Sequence, residues 1–204
     1  MAAVFFSFYD GGTSGNTKYI SRCYTIDAME FKKVFTAILL ELEKCEIPYT
    51  IIGAMALGFW GIQRATIDID FLVKAADREK IVSLMKRFGY DHAVSGNFAD
   101  QFSHVVKEMG FVDFLYTNKE KGIIETSRSF KGPDDTEVCV ALPEDLIALK
   151  LDAVRNNPKR EFQDWADIQA VVELLGDTLD WNKIREYCSI LDMEAAYEKI
   201  LNLK

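Results

Sequence analysis

Two aspartates one residue apart, Asp68 and Asp70, stand in the run Ile67-Asp68-Ile69-Asp70-Phe71-Leu72-Val73. Carboxylates alternating with Ile and Phe predict a β-strand, where residues two apart face the same way, about 7 Å from each other. Both carboxylates then leave one face, while Ile67, Ile69 and Phe71 fill the other. Ionised carboxylates this close repel each other, and a divalent cation offsets the repulsion. Two cations about 4 Å apart, held by such a pair, stabilise the entering and leaving oxygens of an in-line displacement at phosphorus. Oxygen donors and a phosphate substrate favour magnesium, or manganese, over zinc. The plainer reading of the same pair is a solvated strand face.

Phosphates need a place as well. Ile51-Ile52-Gly53-Ala54 reads as a strand passing through a glycine into a helix, whose first amides attract anions. Gly53 lets the backbone approach a ligand closely, and Ala54 contributes its amide. This unit alone is a weak signal; followed by a DxD strand it becomes specific. A third carboxylate, Asp113, sits in the apolar strand Val112-Asp113-Phe114, where a buried and isolated charge would be costly. Arg64 precedes the acidic pair and could grip carboxylates or phosphates in a bidentate way, or be an ordinary surface charge. Thr66 lies between them and is otherwise a plain strand residue.

In these residues the chain resembles the DNA polymerase β-like nucleotidyltransferase superfamily, and within it the AbiEii and MenT toxin-type enzymes and their relatives. The superfamily pattern, apolar-Gly-Gly/Ser and then apolar-Asp-apolar-Asp/Glu-apolar, corresponds to Ile52-Gly53-Ala54, matched at its first two positions, and to Ile67 to Phe71, matched throughout. The subgroup's R-x-T-x-D-I-D run is present as Arg64-Ala65-Thr66-Ile67-Asp68-Ile69-Asp70. The resemblance makes Asp113 the third metal carboxylate. It also implies active-site roles for Lys150, on the helix Asp145-Leu-Ile-Ala-Leu-Lys150, and for Asp164 in Asp164-Trp-Ala-Asp167. Lys150 would then join Gly53, Ala54, Arg64 and Thr66 in holding the triphosphate. Alternative readings are a snorkelling lysine and, for Arg160, Asp164 and Asp167, an i,i+4 ion pair. Ala54 departs from the family's Gly or Ser and loses a phosphate-bonding hydroxyl.

The elements that must position these groups follow from periodicity. Phe31, Val34, Phe35, Ile38, Leu39 and Leu42 recur at helical steps after an Asp27/Glu30 capping pair, and Pro48 marks the break. Tyr49 to Gly53 is a strand. Asp77 to Phe88 is a helix with Ile81, Leu84, Met85 and Phe88 inward. Phe102 to Val106 and Phe111 to Thr117 are paired strands turning at Glu108-Met109-Gly110. Residues 122–140 hold one or two strands broken by Lys131-Gly-Pro-Asp-Asp135. From Pro143, a first helical position, the pattern is helical to the end, with Asp180 and Asp192 as N-caps of the last two helices. The expected domains are a flexible extension over 1–25, where Gly11 to Thr17 is turn chemistry, a catalytic unit over 26–140 and a helical unit over 141–204.

Bulk properties narrow the function. A net charge of −8 argues against broad duplex binding through phosphate neutralisation. Four cysteines, Cys23, Cys45, Cys139 and Cys188, with no CxxC pair and only His92 and His104 beside them, argue against zinc and fit a reducing cytoplasm. No apolar run reaches a membrane span's roughly 20 residues, and the first residues lack the basic region of a signal peptide. The expected fold is α+β: a minimal nucleotidyltransferase unit, a short mixed sheet backed by helices, with a C-terminal helical bundle and the active cleft between them. The expected reaction moves a nucleoside monophosphate from an NTP to an acceptor hydroxyl on a protein, a tRNA or a small molecule, releasing pyrophosphate. A toxin role, implied by the resemblance, brings an antitoxin partner. The alternative is a catalytically weak nucleotide-binding regulator or an antitoxin-type binding module.

Overall fold

A computed structural model describes residues 26–66, 68–106 and 109–204, with the side chains of 26–31 excepted. The expected extension over 1–25, Cys23, Ile67, Glu108 of the expected turn, and the side chains of Asp27, Glu30 and Phe31 lie outside the described residues. The chain divides into one unit up to Val140 and a second over Ala141–Lys204. Among the described residues, no helix is long and apolar enough to cross a membrane.

In the first unit, α1 (Ile26–Lys44) leads to β1 (Tyr49–Ile52), α2 (Gly53–Phe59), β2 (Asp68–Lys74) and α3 (Arg78–Arg87). Five strands follow: β3 (Tyr90–Ser95), β4 (Ala99–His104), β5 (Phe111–Thr117), β6 (Arg128–Lys131) and β7 (Glu137–Val140). All seven form one mixed sheet in the order β3-β4-β5-β2-β1-β7-β6. β2 runs parallel to β5 and β1 parallel to β7, while the other four pairings are antiparallel.

The core explains the pattern. β2 alternates as expected, with Ile69, Phe71 and Val73 fully buried. Phe71 stacks on Phe114 at 5.0 Å, and Phe102 meets Phe114 edge-on at 5.9 Å. The stripe on α1 buries Phe35, Ile38, Leu39 and Leu42, and α3 buries Ile81, Leu84 and Met85. A salt bridge of 3.0 Å from Arg87 to Glu41 links the two helices. Phe88, expected inward, is only half-buried, because it caps α3 where the chain already turns.

One strand is new, one is shorter than expected, and the strands expected over 122–140 are present on either side of their break. β3 is a strand that sequence alone does not reveal: only Tyr90 of its six residues is buried, so it shows no apolar alternation. β4 stops at His104, whose Nδ1 accepts from the Val106 amide at 3.0 Å and turns the chain, leaving Val105 and Val106 exposed. Residues 122–127 form turns, with β6 and β7 flanking the expected Gly132-Pro133 break.

The second unit is four helices: α4 (Pro143–Asn156), α5 (Glu161–Leu175), α6 (Trp181–Ile190) and α7 (Glu194–Leu201). Pro143 occupies the first turn of α4, as its fixed φ favours. Asp180 caps α6, accepting from the amides of Asn182 and Lys183 at 3.0 and 3.1 Å. Asp192 does not cap α7. It sits at φ +54°, and Met193 takes the capping position without a side-chain bond.

Candidate active site

Strand register gathers the acidic residues. Ile52 of β1 is opposite Asp70 of β2, Asp70 is opposite Asp113 of β5, and Asp113 is opposite Gln101 of β4. Residues in register on neighbouring strands share a sheet face and lie about 5 Å apart. Gln101, Asp113, Asp70 and Ile52 therefore form one row across four strands. Asp68, two residues before Asp70, projects from the same face. The opposite face below this row is Ile69, Phe71, Val112 and Phe114, all fully buried, and this packing fixes which way the carboxylates point.

Each acidic residue has a distinct setting. Asp68 is half-buried, and desolvation pushes its carboxyl above the usual range. Its main chain is fixed by Thr66, whose hydroxyl bonds the Asp68 amide and carbonyl, each at 3.2 Å. Thr66 thus shapes the start of β2. Arg64 donates from Nη1 to the Ala65 carbonyl at 3.1 Å. Asp113 accepts from Gln101 Nε2 on Oδ2 at 3.3 Å.

Asp70 is pressed against the main chain. Gly53 begins α2 at φ +67°, and a Cβ there would lie 2.0 Å from Asp70 Oδ2 and 2.7 Å from its Cγ. Only glycine meets both the left-handed backbone and this approach. Ile52, the N-cap of α2, has no side chain able to accept from the first-turn amides. Ala54 follows in that turn. α2 has only seven residues, so its first-turn N–H groups, rather than a long dipole, would attract an anion.

The donor set suits a hard divalent cation: three carboxylates share a face, and the burial that raises Asp68 would be offset by positive charge beside it. Among the described residues no three His, Cys, Asp or Glu side chains stand gathered as a ready metal group. A cation bound here would have to draw its carboxylates in.

The second unit carries its own buried charge cluster. Lys150 Nζ lies 3.3 Å from Asp164 Oδ1 and 2.5 Å from Asp167 Oδ2, and all three side chains are at least nine-tenths buried. Arg160 Nε reaches Asp164 Oδ2 at 3.1 Å, and Gln163 Nε2 reaches Asp167 Oδ1 at 3.2 Å. The snorkelling reading of Lys150 is therefore wrong: its ammonium is inside, where two aspartates neutralise it. The i,i+4 pair from Arg160 to Asp164 is present, but the aspartate end is buried. Asp167 was legible as a helix-face partner of Asp164. Its grip on Lys150 was not, because that contact joins α4 to α5. Gln101 was likewise hidden, since only the β4–β5 register brings it to Asp113.

Residues 38–189 match the family described as nucleotidyl transferase AbiEii toxin, type IV TA system. No match to the chain was found among curated proteins. Solved structures share its fold at low identity. The solution structure of the antibiotic-resistance factor ANT(2″)-Ia is 14% identical at a TM-score of 0.59, covering 85% of this chain and 94% of that one. Its crystal structure with adenylyl-2″-tobramycin is 15% identical at 0.55, covering 82% and 97%. An antigenic nucleotidyltransferase-like protein from Paracoccidioides brasiliensis is 16% identical at 0.52, covering 87% and 94%.

Proposed function

The chain belongs to the nucleotidyl transferase AbiEii toxin family of type IV toxin–antitoxin systems, and on that premise we propose that the carboxylate face of its sheet binds a nucleoside triphosphate and transfers the nucleoside monophosphate to an acceptor hydroxyl. The observation that carries this reading is the row in which Asp70 lies in register with Asp113 while resting on Gly53. Asp68 and Asp70 would hold magnesium, or manganese, and Asp113 would complete the set on the acceptor side. When bound, the ion supplies positive charge to the triphosphate and to the charge developing on the leaving pyrophosphate.

The chain's own groups account for the rest. The N–H groups of Gly53 and Ala54 donate to phosphate oxygens; Ala54 offers no hydroxyl, so the grip at that position is main-chain only. Arg64, next to the start of β2, adds charge for phosphates, and Thr66 holds Asp68 in place. The acceptor oxygen bonds to the α-phosphorus as the bond to pyrophosphate breaks, and Asp113 takes the hydroxyl proton. Lys150 and Asp164 enter this reading through the family resemblance alone. Rate enhancement would come mainly from in-line positioning and charge neutralisation, as in other phosphoryl transfers. A cognate antitoxin is the partner that the family implies.

The test is incubation of the protein with each labelled NTP, magnesium and a cell lysate, beside the double variant Asp68→Asn/Asp70→Asn. Labelled product is expected from the wild type and none from the variant. The variant should remain folded, because removing clustered like charges relieves repulsion in the metal-free protein. Undiminished labelling by a folded double variant would overturn the proposal, and the labelled species identifies the acceptor as protein, RNA or small molecule.

A further inference from the structure

We infer that Gln101 is a positioning residue for Asp113, fixing the direction of that carboxylate on the active face. This deepens the reading above and rests on it. Gln101 stands opposite Asp113 in the β4–β5 register and donates from Nε2 to Asp113 Oδ2 at 3.3 Å. An ionised carboxylate only accepts, so the amide must turn its nitrogen toward it. Gln101 thereby adds a hydrogen bond without adding charge. Lysine or arginine at this place would add a positive charge that competes with a cation, whereas the neutral amide of Gln101 adds none.

The strand beneath Gln101 is held on both sides. Asp100 is buried and receives Arg78 Nη2 on Oδ1 at 2.6 Å, Arg78 Nε on Oδ2 at 2.8 Å and the Tyr116 hydroxyl on Oδ2 at 2.8 Å. His92 Nε2 lies 2.9 Å from Asp100 Oδ1. Phe102, on the other side, is fully buried against Phe114. With neighbours locked into the opposite face, the backbone at 101 has little freedom, and its side chain is presented to Asp113 at a fixed height. Groups that orient a metal ligand in this way typically contribute tenfold or more to metal affinity or activity.

The experiment compares Gln101→Ala and Gln101→Thr with wild type, with Asp113→Asn, with the double variant Gln101→Ala/Asp113→Asn, and with Ser103→Ala as a control on the same strand. Threonine keeps β-propensity but cannot reach Asp113, so it decides the matter if the alanine variant folds poorly. Two quantities are read: manganese affinity of the NTP-free protein, from the spin-resonance signal of unbound Mn2+, and kcat and KM for NTP. The expected result for both Gln101 variants is manganese binding weaker by about tenfold and kcat lower by about tenfold. KM should stay within about twofold, since Asp113 serves the acceptor side. The Gln101 substitution should add nothing once Asp113 is Asn, because the effect travels through that carboxylate. Wild-type affinity and kcat in both Gln101 variants, with Asp113→Asn impaired, would overturn this inference alone. So would a loss of the same size with and without the Asp113 carboxylate. An Asp113→Asn variant indistinguishable from wild type would instead remove Asp113 from the proposed function, and Gln101 with it.

Discussion

The approach of Asp70 to Gly53 leaves no room for compromise at either position. A methyl group on Gly53 would fall 2.0 Å from Asp70 Oδ2, and the backbone there is at φ +67°. Gly53→Ala therefore adds left-handed strain of about 1 kcal/mol and forces the Asp70 carboxylate aside. The expected outcome is a folded protein, destabilised by about 1–3 kcal/mol in urea unfolding, whose transferase activity drops by at least about a hundredfold, as for other lost charge stabilisers. Near wild-type activity in Gly53→Ala would mean that Asp70 does not need its present seat. Lys150 makes the opposite point about a charged side chain. Its ammonium lies between Asp164 and Asp167, all inside the helical unit. Lys150→Ala strands two buried carboxylates and should cost about 3–5 kcal/mol, whereas the exposed Lys159→Ala should stay within about 0.5 kcal/mol. Chemical denaturation of the two variants side by side checks this, and similar midpoints would contradict the buried cluster.

At the scale of elements, the sequence was most readable where one face is buried and the other is not. β2 alternates between aspartate and fully buried Ile69 and Phe71, so its direction and chemistry could be read at once. The helices α1, α3 and α4 showed themselves through stripes and breakers. β3 did not, because an edge strand exposed on both faces carries no period. Register was invisible for a different reason. Nothing in the string says that β5 runs parallel beside β2 with Asp113 opposite Asp70, or that β4 puts Gln101 next to it. Types of residue were therefore legible and partnerships were not. Asp180 could be named as a cap because its partners are its own neighbours, whereas the Asp100 network draws on α3, β3 and β5 at once. That network links elements, and its pH dependence follows. Burial alone would raise the Asp100 carboxyl, but hydrogen bonds from Arg78, Tyr116 and His92 outweigh it and bring it from an ordinary 3.8 to about 2. A depressed carboxyl contributes stability above its unfolded value and loses it as pH falls through its folded value. Asp100 should therefore withdraw about 2 kcal/mol between about pH 4 and pH 2. Urea unfolding of wild type and Asp100→Asn at pH 6, 4 and 2.5 checks this: the wild type should lose the larger share over that interval. Parallel losses in the two proteins would exclude Asp100 as the source.

Across the whole molecule, charge is distributed so that the acidic excess of −8 does not prevent a carboxylate-rich face from forming. Lysine and arginine are spent locally: Arg78 on Asp100, Arg87 on Glu41, Lys183 on Asp145 and Lys150 on two aspartates. Family membership and fold agree on a nucleotidyltransferase, and the residues proposed to hold its metal come from strands that meet only through a crossover. β2 and β5 pair in parallel, and α3, β3 and β4 lie between them in the chain. During synthesis the ribosome releases Asp68 and Asp70 well before Phe111–Thr117. Until that strand has emerged and slotted beside β2, the growing polypeptide has two of its three carboxylates and no seat for the third. On the proposed reading, the growing chain gains its complete carboxylate set only once β5 has joined β2.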